Sequence, residues 1–271
     1  RRVCALRFRC GGMRMKAIYL VYSLPVLLLA AFAVFYPPAR RWTAGFFTAR
    51  KLTLAGFALL MIGLALAFIV APETINPEGR KIFSQKIFYY HVPVEETSLI
   101  GFILGAVFGG LFLAKRERRY DFLSYACIEV GFLFGLLTEW TGVIWTRSEW
   151  GKWWEWEPRL TTYLILILMY AGYFVLRSSI AEDASRARFS AVYSIVAAVS
   201  VPLTFFSIRL IPSVHPIVFT SSGAQMEPSM LAAFLVSMLG MTIFSIGLIR
   251  TRYSLELLGE GVEHLKERLG G

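Results

Sequence analysis

Two histidines and one aromatic run hold the residues of this chain best suited to chemistry. The run WGKWWEWEPRL, residues 150–160, places Trp150, Trp153, Trp154 and Trp156 within seven positions and interleaves them with Glu155, Glu157 and Arg159. With Trp140 and Trp145 just upstream, six of the seven tryptophans fall within 17 positions. Indole rings offer flat apolar faces, and their N–H groups donate to a polar edge. An interfacial aromatic belt needs only scattered rings at helix ends, so this density reads as a platform for a large flat ligand. Arg159 has two readings. It grips an anionic group of that ligand in a bidentate fork, or it pairs with Glu155 or Glu157.

His91 lies in KIFYYHVPVEETS and His215 in IRLIPSVHPIVF, each at the edge of an apolar block. A single histidine is most often a hydrogen-bonded structural group. Two of them flanking an aromatic platform are suited to more: imidazole is a standard axial ligand of heme iron, and two complete its octahedron above and below the ring. A zinc site asks for three or four N, S or O ligands. No thiolates are at hand, although Glu95 and Glu96 keep that alternative open. His264, in VEHLKERL, belongs to a solvated amphipathic stretch and has no assigned role.

The elements that must position these residues are apolar. The chain has 271 residues, 56% hydrophobic and 17% charged, where a soluble domain carries about 25% charge. Apolar blocks of about twenty residues suffice to cross a hydrocarbon core of about 30 Å. Seven candidates occur, at 17–36, 52–71, 97–114, 122–140, 160–176, 189–211 and 230–249. Pro25 and Pro202 are expected to kink the helices that contain them. The expected fold is an all-α polytopic membrane protein. Residues 52–250 form a six-helix transmembrane bundle, residues 1–51 carry an additional N-terminal hydrophobic segment, and residues 251–271 form a cytoplasmic amphipathic tail.

Lys and Arg number 4, 4, 3 and 4 in segments 37–51, 115–121, 177–188 and the tail after 249, against 3, 3 and 0 in gaps 72–96, 138–160 and 212–229. The positive-inside rule places the first set in the cytoplasm. The tryptophan run, His91 and His215 then share the outer face. The block at 17–36 follows six basic residues and contains Ala31-Phe32-Ala33, an A-x-A cleavage pattern. A signal peptide, a tilted interfacial helix and a start-site artefact all stay open for it.

The net charge of +10 is spread in short clusters between apolar blocks, which sets orientation and makes no nucleic-acid stripe. Cys4, Cys10 and Cys127 form no CxxC or CxxCH, so neither a thioredoxin-like site nor covalent heme attachment is encoded. Glu129, inside an apolar block, is expected to hydrogen-bond to Ser or Thr on a neighbouring helix. Glu139 is expected at the interface. No Walker A, GxSxG or HExxH motif occurs. The expectation is a binding and handing-over device, not an enzyme.

WGKWWEWEPRLTT resembles the tryptophan-rich "WWD" signature of heme-handling proteins in cytochrome c biogenesis, and its RLTT ending is similar to that of the cytochrome c maturation CcmC family. TGVIW, KIFYYHVP and LIPSVHP extend the likeness in register over about residues 52–250. The resemblance implies six helices that bind heme b on the outer face of the inner membrane. It also implies a CcmE-like heme chaperone as receiver, and CcmA-, CcmB- and CcmD-like transporter subunits beside the chain in the bilayer. Carried over, His91 and His215 are the axial ligands, and Trp145, Trp150, Gly151, Trp153, Trp154, Trp156, Glu157, Arg159 and Leu160 form the platform. Glu157 stands where the family has Asp, and Glu95 and Glu96 stand where it is apolar or aromatic. A CcsA-like synthase component and a heme b electron-transfer subunit are the competing readings.

Overall fold

Hydrocarbon offers no hydrogen-bond partner to a backbone amide, so a chain this apolar must satisfy its backbone within its own elements. The computed structural model describes residues 42–75, 81–216, 218–220, 223–224 and 226–270. They form helices α1 (Trp42–Ile69), α2 (Phe88–Lys115), α3 (Arg118–Trp150), α4 (Pro158–Ser179), α5 (Asp183–Ala198), α6 (Ser200–Leu210) and α7 (Pro228–Arg268). Six helical stretches are long and apolar enough to cross a membrane, α5 and α6 together making one of them. This is an all-α, multi-pass membrane protein. Two antiparallel pairs of two-residue strands, β1 (Thr74–Ile75) with β2 (Lys81–Ile82) and β3 (Phe219–Thr220) with β4 (Gly223–Ala224), brace loops at one end. The expected segment 17–36, with Pro25 and the A-x-A pattern, and Cys4 and Cys10 lie outside the described residues.

Helix boundaries differ from the apolar blocks for identifiable reasons. α2 starts at Phe88, behind a 3₁₀ turn at Phe83–Ile87, so His91 sits inside the helix and not before it. Glu95 is buried and Glu96 is half-buried on this helix, so the apolar block beginning at 97 understates it. α3 runs ten residues past Trp140 because no breaker intervenes before Gly151, whose φ of +72° forms a left-handed C-cap that glycine adopts without strain. Near Pro202, where a kink is expected, α5 ends at Ala198, the residue whose carbonyl the Pro202 ring excludes, and α6 begins at Ser200 after the single residue Val199. α7 has 41 residues, about 60 Å at 1.5 Å per residue. It outruns the hydrocarbon core, and its exposed end carries His264 in a pair with Glu267.

Apolar side chains gain little by leaving lipid for each other, so close backbone approach has to hold helices together. α1 lies on α7 in this way. A Cβ built on Gly240 would stand 2.5 Å from the Leu60 backbone nitrogen, and one on Gly56 2.2 Å from that of Phe244. α2, α3 and α7 meet in a cluster that includes Phe108, Phe122, Phe134, Met241 and Tyr253. Against α4, Phe102 and Tyr170 stack with ring centres 3.6 Å apart.

At the end opposite the tryptophans, charges do the fastening. Asp121 of α3 accepts both arms of Arg177 of α4 at 2.8 and 2.9 Å, with only 4% and 11% of the side chains exposed. Glu129 does not hydrogen-bond to a serine or threonine as expected. It pairs with Arg252 of α7, whose long side chain also reaches Glu256 at 2.6 Å. Removing one member of a buried pair strands the other charge, at a cost of about 3–5 kcal/mol. Asp121→Asn is therefore expected to lower the unfolding temperature in detergent sharply. The double variant Asp121→Leu/Arg177→Met, with no stranded charge, is expected to regain most of the loss.

Candidate functional site

At the tryptophan end, α2, α3, α4, the loop after α6 and the start of α7 enclose a cavity of about 340 Å³, within the range of about 300–1,000 Å³ usual for small-molecule sites. Ile82, Phe88, Val92, Leu160, Val218 and Met230 contribute apolar wall. His91, Glu95, Thr138, Glu139, Trp145, Arg159, Tyr163 and His215 are among the remaining lining residues. Sequence distance is no obstacle: residues 124 positions apart, His91 and His215, line one space.

The His91 ring is fixed by α3. Its Nδ1 lies 2.7 Å from Thr141 Oγ1, and that hydroxyl lies 2.8 Å from the Leu137 carbonyl and 3.1 Å from that of Thr138. A hydroxyl has one proton to give. Donated to a carbonyl, it leaves a lone pair that accepts from Nδ1–H. In that arrangement Nδ1 carries the proton and Nε2 keeps its lone pair, as a metal ligand requires. Gly142 makes room, since a Cβ there would come within 3.4 Å of His91 Cε1.

His215 is held from α4. Glu157 caps that helix, with Oε1 accepting from the Leu160 N–H at 2.6 Å. Oε2 accepts from Ser213 Oγ at 2.6 Å, and Ser213 Oγ accepts from the His215 N–H at 3.0 Å. The His215 Nδ1 stands 3.7 Å from Glu157 Oε1, and its ring centre 5.9 Å from that of Trp145. Burial holds the His215 imidazole below the usual histidine value, and Arg159 adds to this against the opposing pull of Glu157 and Glu95. Its neutral form is the one that ligates.

The carboxylate partner of Arg159 is neither of the two expected from the sequence. Arg159 pairs with Glu95, not Glu155 or Glu157, and donates to the Phe205 carbonyl at 3.1 Å. Glu155 pairs instead with Lys152 at 2.7 Å. The six tryptophans do not form one flat floor, because the run crosses a helix end, a left-handed turn at Gly151 and the cap of α4. Trp145 lines the cavity, and Trp150 packs edge-on against it at 5.2 Å. Trp154 and Trp156 meet edge-on at 5.5 Å. Trp140, Trp153 and Trp156 are exposed, with Arg147 5.6 Å above the Trp153 ring. Trp150, Gly151, Trp153, Trp154, Trp156 and Glu157 are absent from the described cavity wall, whereas Leu160 and Arg159 are part of it.

Glu139, expected at the interface, lines the cavity, and its buried Oε1 has no hydrogen-bond partner among the described residues. Among the described residues no three His, Cys, Asp or Glu are grouped to hold a metal ion as a zinc site would need. Thr141, Gly142, Ser213, Tyr163 and Met230 escaped the sequence reading. For the first two the signal was the TG of TGVIW; the others carry none that composition makes visible. Two imidazoles lining one largely apolar cavity are the type of donors that a flat, iron-bearing macrocycle would need.

The depressed His215 value has a consequence for stability. Below the ordinary histidine value of about 6.5, the unfolded chain takes up a proton that the folded His215 refuses, so stability is full above that pH and falls as pH drops below it. The His215 contribution is expected to appear as a difference: in thermal unfolding in detergent from pH 7.5 to 5, wild type loses more stability toward low pH than His215→Gln does.

The family described as heme exporter protein C, CcmC, matches residues 29–268. A heme exporter protein C of Bradyrhizobium diazoefficiens is 30% identical over 217 residues, covering 79% of this chain and 81% of that protein. One of Haemophilus influenzae is 29% identical over 207 residues, covering 74% and 81%. A ccmC-like mitochondrial protein of Marchantia polymorpha, named for cytochrome c biosynthesis, is 30% identical over 181 residues, covering 66% and 75%. With nearly the whole described bundle inside the matched span, the chain belongs to the heme exporter protein C family.

Proposed function

We propose that this chain binds heme b between His91 and His215 on the outer face of the inner membrane and presents it to a CcmE-like heme chaperone during c-type cytochrome biogenesis. Family membership supports the coarser statement, a role in heme handling for cytochrome c biogenesis. One observation carries the finer one. Two histidines from different elements line a single, largely apolar cavity, with Nδ1 of His91 engaged by Thr141 and Nδ1 of His215 3.7 Å from Glu157 Oε1, too far for a hydrogen bond.

His91 and His215 would hold the heme, which would supply an iron centre for them to ligate. The chain's own residues orient and shelter it. Thr141 fixes the His91 tautomer, Glu157 and Ser213 fix the loop that carries His215, and Trp145, Leu160 and Met230 keep water from the ring. Trp150 buttresses Trp145, Gly151 turns the chain back, and Trp153, Trp154 and Trp156 extend the rim. The count of positive residues supports the outer, periplasmic placement of this end. The role is holding and handing over, beside CcmA-, CcmB- and CcmD-like subunits, with no covalent step assigned to this chain.

Reduced-minus-oxidised spectra and the pyridine hemochrome of protein purified after coexpression with a heme supply and CcmE provide the test. A low-spin b-type signal is expected, weakened or turned high-spin by His91→Ala and by His215→Ala. Thr141→Val is expected to keep the signal while weakening heme affinity about 10- to 100-fold, the usual effect of losing a ligand's outer partner. A colourless protein, or histidine variants with native spectra, would sink the assignment.

A further inference from the structure

The pair Glu95–Arg159 is not explained by holding histidines in place. Glu95 stands four residues after His91 on α2, so the two side chains share one helix face and both line the cavity. Arg159 reaches it from the first turn of α4 and lines the same cavity. Only 9% of the Glu95 side chain and 13% of the Arg159 side chain are exposed. Both groups line the same cavity as the His215 ring. Opposite unit charges are thus lodged, nearly dry, against the groups that present both imidazoles. Charges in such surroundings act on a neighbour several times more strongly than in water.

Ferric heme differs from ferrous heme by one unit of positive charge at its centre. A carboxylate nearby favours the ferric form, and a guanidinium favours the ferrous form. Paired, they nearly cancel. We propose that Glu95 is a charge-compensating residue of this site: by pairing with Arg159 it neutralises the guanidinium against the two histidines and so sets the balance between ferric and ferrous heme. The proposal rests on the heme-binding reading above. Burial, local charge and the groups around the axial ligands are the levers by which a protein tunes heme iron. Glu139 and Glu149 are carboxylates of the same cavity, but neither pairs with an arginine among the described residues. Glu149 accepts from Ser84.

The test is a spectroelectrochemical titration of heme-loaded full-length protein, following the low-spin signal in wild type, Glu95→Gln, Arg159→Gln, the double variant and Glu95→Asp. Glu95→Gln leaves an uncompensated guanidinium, and the midpoint potential is expected to rise. Arg159→Gln leaves an uncompensated carboxylate, and the potential is expected to fall. The double variant should lie closer to wild type than either single one, and Glu95→Asp should stay near wild type. Low-spin spectra with unmoved potentials, or shifts of the same sign in both single variants, overturn the proposal. Loss of the low-spin signal in Glu95→Gln with its retention in Glu95→Asp also overturns it, because Glu95 would then secure ligation and not charge. If wild type itself shows no low-spin heme, the heme-binding reading fails first and takes this one with it.

Discussion

A guanidinium buried at the end of a lipid-embedded bundle must be neutralised where it stands, and the site end is organised around that requirement. Arg159 enters from the first turn of α4, receives its counter-charge from Glu95 of α2 and donates to carbonyls of Thr204 and Phe205 on α6. One side chain thereby ties three helices. Arginine suits the task because its planar fork offers several fixed donors, where a lysine would present a single compact charge. The two candidate ligands sit at the ends of this arrangement, His91 one turn before Glu95 and His215 in the loop that follows α6. Any movement of α4 relative to α2 would separate the ions and the imidazoles together.

The opposite end is secured by the same kind of interaction with a different purpose. Asp121–Arg177 and Glu129–Arg252 join α3 to α4 and to α7, and none of these four residues lines the cavity that holds the histidines. Between these ends, hydrocarbon gives apolar side chains little reason to prefer a neighbouring helix to lipid. Shape has to do what hydrophobicity does in water. Gly56, Gly63, Gly240 and Gly247 let α1 and α7 touch along their length, and stacked rings such as Phe102 and Tyr170 fill the contact between α2 and α4. Ionic clasps at both ends and close packing between them leave a scaffold rigid enough to hold two imidazoles toward one cavity.

Length and hydropathy made the number of spanning helices legible, and the interruption of the helix one turn before Pro202 follows from that residue's missing N–H and fixed φ. Helix ends were less so. Hydropathy sees a charged residue as a boundary, yet Glu95 is satisfied by Arg159 inside the bundle, and no count along the sequence shows that a partner 64 positions away will arrive. The histidines were legible as a pair because each lay beside an apolar block at the same end. Their supports were not: Thr141, Gly142 and Ser213 are ordinary residue types whose role depends only on where a ring from another helix falls. The tryptophans misled in a specific way. Their density is a one-dimensional fact, whereas the chain turns at Gly151 and at the α4 cap, so rings adjacent in sequence point to different surroundings.

Glu157 shows how much a single methylene has to be accommodated. A helix cap favours short side chains such as Asp, whose carboxylate folds back onto the first free N–H groups. A glutamate at the same place is longer, and here the added length is used: Oε1 still reaches the Leu160 N–H, while Oε2 extends to Ser213. Ser213 in turn accepts from the backbone of His215. With an aspartate, capping the helix would draw the second oxygen back toward α4, and the loop would have to follow by about the length of one C–C bond to keep its hydrogen bond. The position of His215 relative to the cavity is therefore set by the reach of this side chain. Its charge alone, which Asp and Glu share, does not determine it.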